Sequence, residues 1–253
     1  MSRKSRPALI GITTYGRQEA LPFSLPAAYL DAVRAAGGTP ILLPPGETDP
    51  AILLEPLDGL IIPGGGDINP KCYNGSHHPS IYSVDCDRDA FELKLAEFAL
   101  KNHLPVLGIC RGLQILIVSG GGSLIPHVPD VYGTSVLHRL DPEPGKRFPT
   151  EHKVKIHKDS RLANFIQQTH ISVVSWHHQA VQKLPSGWRA VAHAVEDGLI
   201  EAVEHEDHPW AIGVQWHPEL SKDDPNHQRI FQAFVEATQN KTQKGLIENI
   251  NYR

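Results

Sequence analysis

Val106-Leu107-Gly108-Ile109-Cys110-Arg111-Gly112-Leu113-Gln114 decides the reading of this chain, because it joins a buried strand to a helix with a single residue between them. The four residues before Cys110 are apolar or glycine, as a strand covered on both faces requires. After Arg111, apolar residues recur at helical spacing as far as residue 119. A residue held on so sharp a turn sits in strained backbone, and glycines two places to either side let strand and helix pack closely; serine enzymes with G-x-S-x-G use the same device. Cysteine serves equally well there, since a helix start favours the thiolate through its dipole and its unpaired N–H groups. The competing reading is a buried, inert cysteine between glycines, and the pattern alone leaves both open.

On both sides of this stretch, short β-rich runs alternate with longer amphipathic ones, the pattern of an α/β domain with a largely parallel central sheet flanked by helices. Strands are predicted over 8–13 and 39–43, with a helix over 25–36 ended by Gly37-Gly38. A nearly continuous apolar run at 57–62 empties into Pro63-Gly64-Gly65-Gly66-Asp67. Helices follow at 89–102 and 111–119. The second half is richer in strands, predicted at 153–156, 172–174, 189–193, 200–205 and 212–216, before a last helix at 226–238. The loop 132–150 carries three prolines and reads as an irregular excursion or a flap over a site. Without repeats or a Ser/Gly-rich linker, one domain is expected over 1–253, with its core over about 8–238 and a polar tail over 239–253.

Composition narrows the function. Twenty-four Lys+Arg against 28 Asp+Glu leave a formal charge of −4, which gives no electrostatic footprint for nucleic acid or an anionic membrane. No apolar stretch approaches the roughly 20 residues that a membrane-spanning helix needs. The N-terminal residues lack the pattern of a signal peptide. Cys72, Cys86 and Cys110 cannot all pair, so reduced thiols and a cytoplasmic location are expected.

Two further strand ends carry chemistry. In Gly213-Val214-Gln215-Trp216-His217-Pro218-Glu219 a strand runs into a histidine with a carboxylate two residues on. A thiol nucleophile needs a base within reach, and the base needs a third group to orient it; His217 and Glu219 can fill both roles. The competing reading is a surface histidine beside a turn. Pro63-Gly64-Gly65-Gly66-Asp67 lets backbone amides approach a substrate, as an oxyanion hole requires. It lacks the G-K-[ST] ending of a phosphate loop, and a plain turn is its bland alternative. His77-His78 and His177-His178 raise the question of metal, but adjacent residues rarely ligate one ion together and no helical His-x-x-x-His accompanies them, so no metal and no cofactor are expected.

In combination these residues resemble the class I glutamine amidotransferase superfamily and, within it, the γ-glutamyl-γ-aminobutyrate hydrolase-like branch. The likeness runs from about residue 9 to 234 through five ordered blocks: Gly59 to Pro70 with Tyr73, Asp85-Cys86-Asp87-Arg88-Asp89 with Glu92, Gly108 to Gln114 continuing to Leu124, Ser175-Trp176-His177-His178-Gln179-Ala180-Val181, and Gly213 to Glu219. The second and fourth are the blocks that set the hydrolase branch apart from amidotransferase subunits of synthases.

The resemblance implies a single flavodoxin-like amidotransferase domain. It further implies that Cys110 is the nucleophile, His217 the base and acid, and Glu219 its orienter. The backbone amides of Gly65 and Arg111 would form the oxyanion hole, Gln114 would contact the γ-glutamyl group, and the segment with His177 and His178 would hold the substrate's α-amino and α-carboxylate ends. Val174, Ile117 and Pro126-His127 depart from the family's usual residues on the acceptor side of the substrate. The activity so implied is hydrolysis of a γ-glutamyl amide such as γ-glutamyl-γ-aminobutyrate, in putrescine breakdown. Its partners would be that small molecule and, at most, a second copy of the chain. A glutaminase subunit feeding a separate synthase and a non-catalytic binding relative are the alternatives.

Overall fold

The computed structural model describes residues 6–16, 22–143 and 145–250, with side chains described as far as residue 239. Its first half is built from β1 (Leu9–Thr13), α1 (Ala27–Ala35), β2 (Thr39–Leu43), β3 (Gly59–Ile62), α2 (Cys86–Lys101), β4 (Val106–Ile109) and α3 (Arg111–Ser119). Next come β5 (Ser123–Ile125), α4 (Val128–Tyr132), β6 (Leu140–Glu143), β7 (Lys146–Phe148), β8 (Thr150–Ile156), α5 (Arg161–Ile166), β9 (His170–Ser175) and β10 (Ala180–Lys183). β11 (Trp188–Ala194), β12 (Ile200–His205), β13 (Ala211–Val214) and α6 (Pro225–Ile250) complete it.

Nine strands form one sheet in the order β2-β1-β3-β4-β13-β12-β11-β8-β9. The five from β2 to β13 run parallel, and the remaining four continue the sheet antiparallel. Alternate residues of the apolar strands serve opposite faces. Ile61 and Leu107 point into a core closed by Tyr29 and Val33 of α1 and Phe231 and Phe234 of α6. Leu60, Ile62 and Val106 point the other way, to Phe91 and Leu95 of α2 and Ile117 of α3. Two covered faces explain why these strands read as unbroken apolar runs.

The topology also assembles the site. β13 lies beside β4 with Gly213 opposite Gly108 and Val214 opposite Ile109, and Cys110 N donates to Val214 O at 2.8 Å. Residues leaving β13 therefore emerge next to residues leaving β4, although about a hundred positions separate them in the chain.

Three sequence expectations change in detail. α2 starts three residues early because the Asp85 side chain caps it, accepting from Asp87 N and Arg88 N. The loop 132–150, entered from the short helix α4, holds the β6–β7 hairpin rather than an irregular excursion. α6 runs on through residue 250, over most of the expected polar tail, whose residues 251–253 lie outside the described ones. Among the described residues, no helix is long and apolar enough to cross a membrane.

Candidate active site

Cys110 caps the N-terminus of α3 with φ of 53° and ψ of −106°. A side chain rarely occupies this region, which costs about 1–3 kcal/mol and persists only where its surroundings enforce it. The glycines on either side do the enforcing. A Cβ on Gly108 would lie 2.6 Å from the Gly112 carbonyl, and one on Gly112 would lie 1.8 Å from Ile62 O. Helix α3 therefore seats directly on the ends of β3 and β4, and the chain has no room to relax the turn between them.

His217 and Glu219 follow β13, and His217 Nδ1 stands 2.6 Å from Glu219 Oε1. On its other side the imidazole faces Cys110, whose charge acts on it. Gly64 is wedged against the pair: a Cβ there would fall 2.8 Å from His217 Cε1 and 3.6 Å from Cys110 Cβ. Burial disfavours a charged imidazole, but the charges of Glu219 and Cys110 and the hydrogen bond to Glu219 outweigh it and hold the His217 pKa well above its usual value. The shift favours the imidazolium, a proton donor beside a sulfur.

The glycine loop after β3 is held from below by a buried ionic group. Arg88 Nη2 donates to Gly64 O at 2.9 Å, and Arg88 Nε donates to Glu92 Oε1 at 2.9 Å. Arg111 bonds Glu92 and Asp89 with its guanidinium, while Thr13 Oγ1 donates to Glu92 at 2.6 Å. Gly64 N donates to Tyr29 Oη at 3.0 Å. At Gly65, with φ of +152°, a Cβ would meet Arg88 Nη1 at 2.1 Å. The Arg111 side chain is therefore a scaffold for the loop, and its backbone N–H sits at the first turn of α3, next to Cys110.

A cleft of about 370 Å³ opens above these residues, walled by Tyr15, Tyr82, Arg88, Trp176, His217 and Leu220. It is large enough for a dipeptide-sized ligand. Trp176 stands edge-on to the His217 ring at 6.3 Å between centroids. The β6–β7 hairpin reaches the same wall, with the Arg147 guanidinium 3.6 Å over the Tyr82 ring.

The other residues expected to hold substrate sit elsewhere. Gln114 is buried, and its Nε2 donates to Gln179 O at 3.0 Å and Gln215 Oε1 at 3.2 Å. His178 Nε2 is 2.8 Å from Asp67 Oδ2. His177 turns its Nδ1 to Gln179 O at 2.9 Å and its Nε2 toward Glu201 at 3.6 Å. None of the three lines the cleft; each makes its hydrogen bonds within the protein. Tyr15, Tyr82 and Arg88 were not singled out individually from sequence, although Arg88 belongs to a quoted block. Lone tyrosines in loops carry no periodic or spacing signal.

The Peptidase C26 family profile matches residues 8–219. A Mycobacterium tuberculosis protein provisionally named a glutamine amidotransferase is 40% identical over 243 residues, covering 92% of this chain and 75% of its own length. The γ-glutamyl-γ-aminobutyrate hydrolase PuuD of Escherichia coli is 34% identical over 229 residues, covering 85% and 87%. A Thermoplasma acidophilum protein provisionally named as part of a GMP synthase has the same fold, with a TM-score of 0.67 at 18% identity over 95% of this chain and 98% of its own. On the breadth of the family match and the identity to these relatives, the chain belongs to the Peptidase C26 family, among the class I glutamine amidotransferase-like proteins.

Proposed function

We propose that the protein hydrolyses a γ-glutamyl amide through a thioester on Cys110. The observation that carries this reading is the strained Cys110 beside His217, both packed against Gly64, with the imidazole Nδ1 fixed by Glu219 at 2.6 Å. The thiolate attacks the γ-carbonyl carbon, and the carbonyl oxygen takes up the electron pair. The N–H groups of Gly65 and Arg111 are the donors for this oxyanion. When the tetrahedral species collapses, the C–N bond breaks and the His217 imidazolium gives its proton to the departing amine. The now neutral His217 takes a proton from water, whose oxygen attacks the thioester. Glutamate leaves, and the proton returns to the Cys110–His217 pair.

Likeness to PuuD supports γ-glutamyl-γ-aminobutyrate as the substrate, and with it a place in putrescine breakdown. The name of the mycobacterial relative favours glutamine as the rival amide. Incubating the protein alone with each compound and following glutamate separates the two. Preference for the γ-glutamyl amino acid is expected; glutamine turnover only, or none without an added protein, would reverse the reading.

Two outcomes follow from the site. Gly65→Ala places a methyl against Arg88 and reorients the loop amide, so kcat is expected to fall on the order of 10²-fold, measured by initial rates at saturating substrate. The raised His217 pKa implies that activity persists through neutral pH and declines only where the imidazolium loses its proton, on the alkaline side of the usual histidine range. The same group stabilises the fold fully below its ordinary pKa, and that contribution is lost as pH rises through the raised one. Glu219→Gln removes the main charge holding the proton, and it is expected to move the alkaline limb of kcat/KM to lower pH.

A further inference from the structure

In the antiparallel half of the sheet, four side chains from distant parts of the chain meet in the interior: His138 before β6, His152 on β8, His177 after β9 and Glu201 on β12. All four are buried, and one donor atom from each lies within 4.8 Å of the others. Glu201 Oε1 is the hub, 3.3 Å from His138 Nδ1, 3.4 Å from His152 Nε2 and 3.6 Å from His177 Nε2. His138 Nδ1 and His152 Nε2 are 3.2 Å apart. Yet neither Glu201 oxygen nor His177 Nε2 makes a hydrogen bond.

The second nitrogen of each ring faces an acceptor that can only receive a proton. His138 Nε2 is 2.9 Å from Asp197 Oδ2, His177 Nδ1 is 2.9 Å from Gln179 O, and His152 Nδ1 is 3.3 Å from Lys153 O. Outward N–H groups leave inward lone pairs, the arrangement by which carboxylates and carbonyls orient metal-binding histidines. Three lone pairs and a carboxylate aimed at one dry point repel one another unless something positive sits among them. In a tetrahedral site with bonds of about 2.0–2.1 Å, neighbouring ligand atoms stand about 3.3–3.4 Å apart. Four of the six separations, at 3.2 to 3.6 Å, bracket that spacing, and the two between His177 and the other imidazoles are within 4.8 Å.

We propose that His138, His152, His177 and Glu201 form a closed, structural site for a first-row divalent metal, with Zn²⁺ as the preferred ion. Imidazole suits Zn²⁺, and four protein ligands leave no open position for water, so the site stabilises rather than catalyses. With Glu201 and Asp197 ionised, the two carboxylates balance the charge of the ion. The metal clamps the segment before the hairpin to the sheet through His138 and, through His177, fixes the neighbouring Trp176 in the cleft wall. Sequence reading set metal aside because His177 and His178 are adjacent; the structure sends His178 to Asp67 and only His177 into the cluster.

The rival occupant is a proton, making His138 an imidazolium between Asp197 and His152. The two are separated in tag-free Cys110→Ala protein, where the cleft thiol cannot bind metal. Elemental analysis of the purified protein is expected to find about one equivalent of metal per chain. Chelator-stripped protein is expected to take up Zn²⁺ with a higher Tm, and Co²⁺ with the intense visible absorption of a tetrahedral complex. Glu201→Gln and His152→Asn should lose both responses, while His193→Ala, outside the cluster, keeps them. Stripped protein that takes up neither ion, or uptake unchanged in the two variants, overturns the proposal; if the variants do not fold, the titration of the stripped parent decides alone.

Discussion

Cys110→Ala is expected to lower glutamate release by about three to six orders of magnitude while the protein stays folded, because in the proposed reaction it removes the nucleophile of the triad and leaves only the contribution of binding and oxyanion contacts. The fold tolerates the change since the neighbouring glycines, not the thiol, set the turn: the clashes that fix it involve Gly108 and Gly112. The strained φ of 53° adds a second readout. Glycine accepts positive φ freely, so Cys110→Gly is expected to be equally inactive yet more stable than Cys110→Ala by about 1 kcal/mol, measured from denaturant midpoints. Equal stability of the two variants would mean that the turn is not strained; substantial turnover in either would remove Cys110 from the chemistry.

The second large effect is one of stability. Glu92 is fully buried and takes hydrogen bonds from Thr13, Arg88 and Arg111. Glu92→Leu leaves Arg88 with no carboxylate and Arg111 with Asp89 alone, and breaking a buried ionic group by removing one partner costs about 3–5 kcal/mol. Urea denaturation is expected to show that loss, together with reduced activity, because Arg88 also carries Gly64 O. Burial works against the Glu92 charge, but Arg111 and Arg88 more than compensate and hold its carboxyl below the usual range. Its contribution is therefore present at neutral pH and is lost as pH falls through the lowered pKa, so the variant should lose less stability than the parent on acidification. A change under about 1 kcal/mol would show that water reaches the group.

Most of the parallel half of the sheet was legible because its strands are covered on both faces and its helices carry one apolar stripe; α3 appears over the residues its spacing indicated. The antiparallel half was read as strands, but their pairing was not: β13 pairs with its sequence neighbour β12 on one side and inserts beside the distant β4 on the other, and no local pattern encodes that crossover. Cys110, His217 and Glu219 stood out because each ends or follows a strand in a recognisable motif. Long-range polar contacts left weaker traces. His138, His152 and Glu201 lie on loops and strands with no shared spacing, so only the folded chain brings them to His177. The hydrogen bonds of Gln114 and His178 likewise go to partners, Gln179, Gln215 and Asp67, that local sequence does not pair with them.

In the reaction proposed, Cys110 receives a γ-glutamyl carbon while His217 supplies the proton. An electrophilic glutamine analogue with a leaving group at the γ-position tests this directly, followed by peptide mapping of the labelled protein. Labelling of Cys110 alone, slowed by γ-glutamyl-γ-aminobutyrate and by His217→Ala, is the expected result. Labelling of Cys72 or Cys86 instead, or an unreactive Cys110 in folded protein, would contradict it.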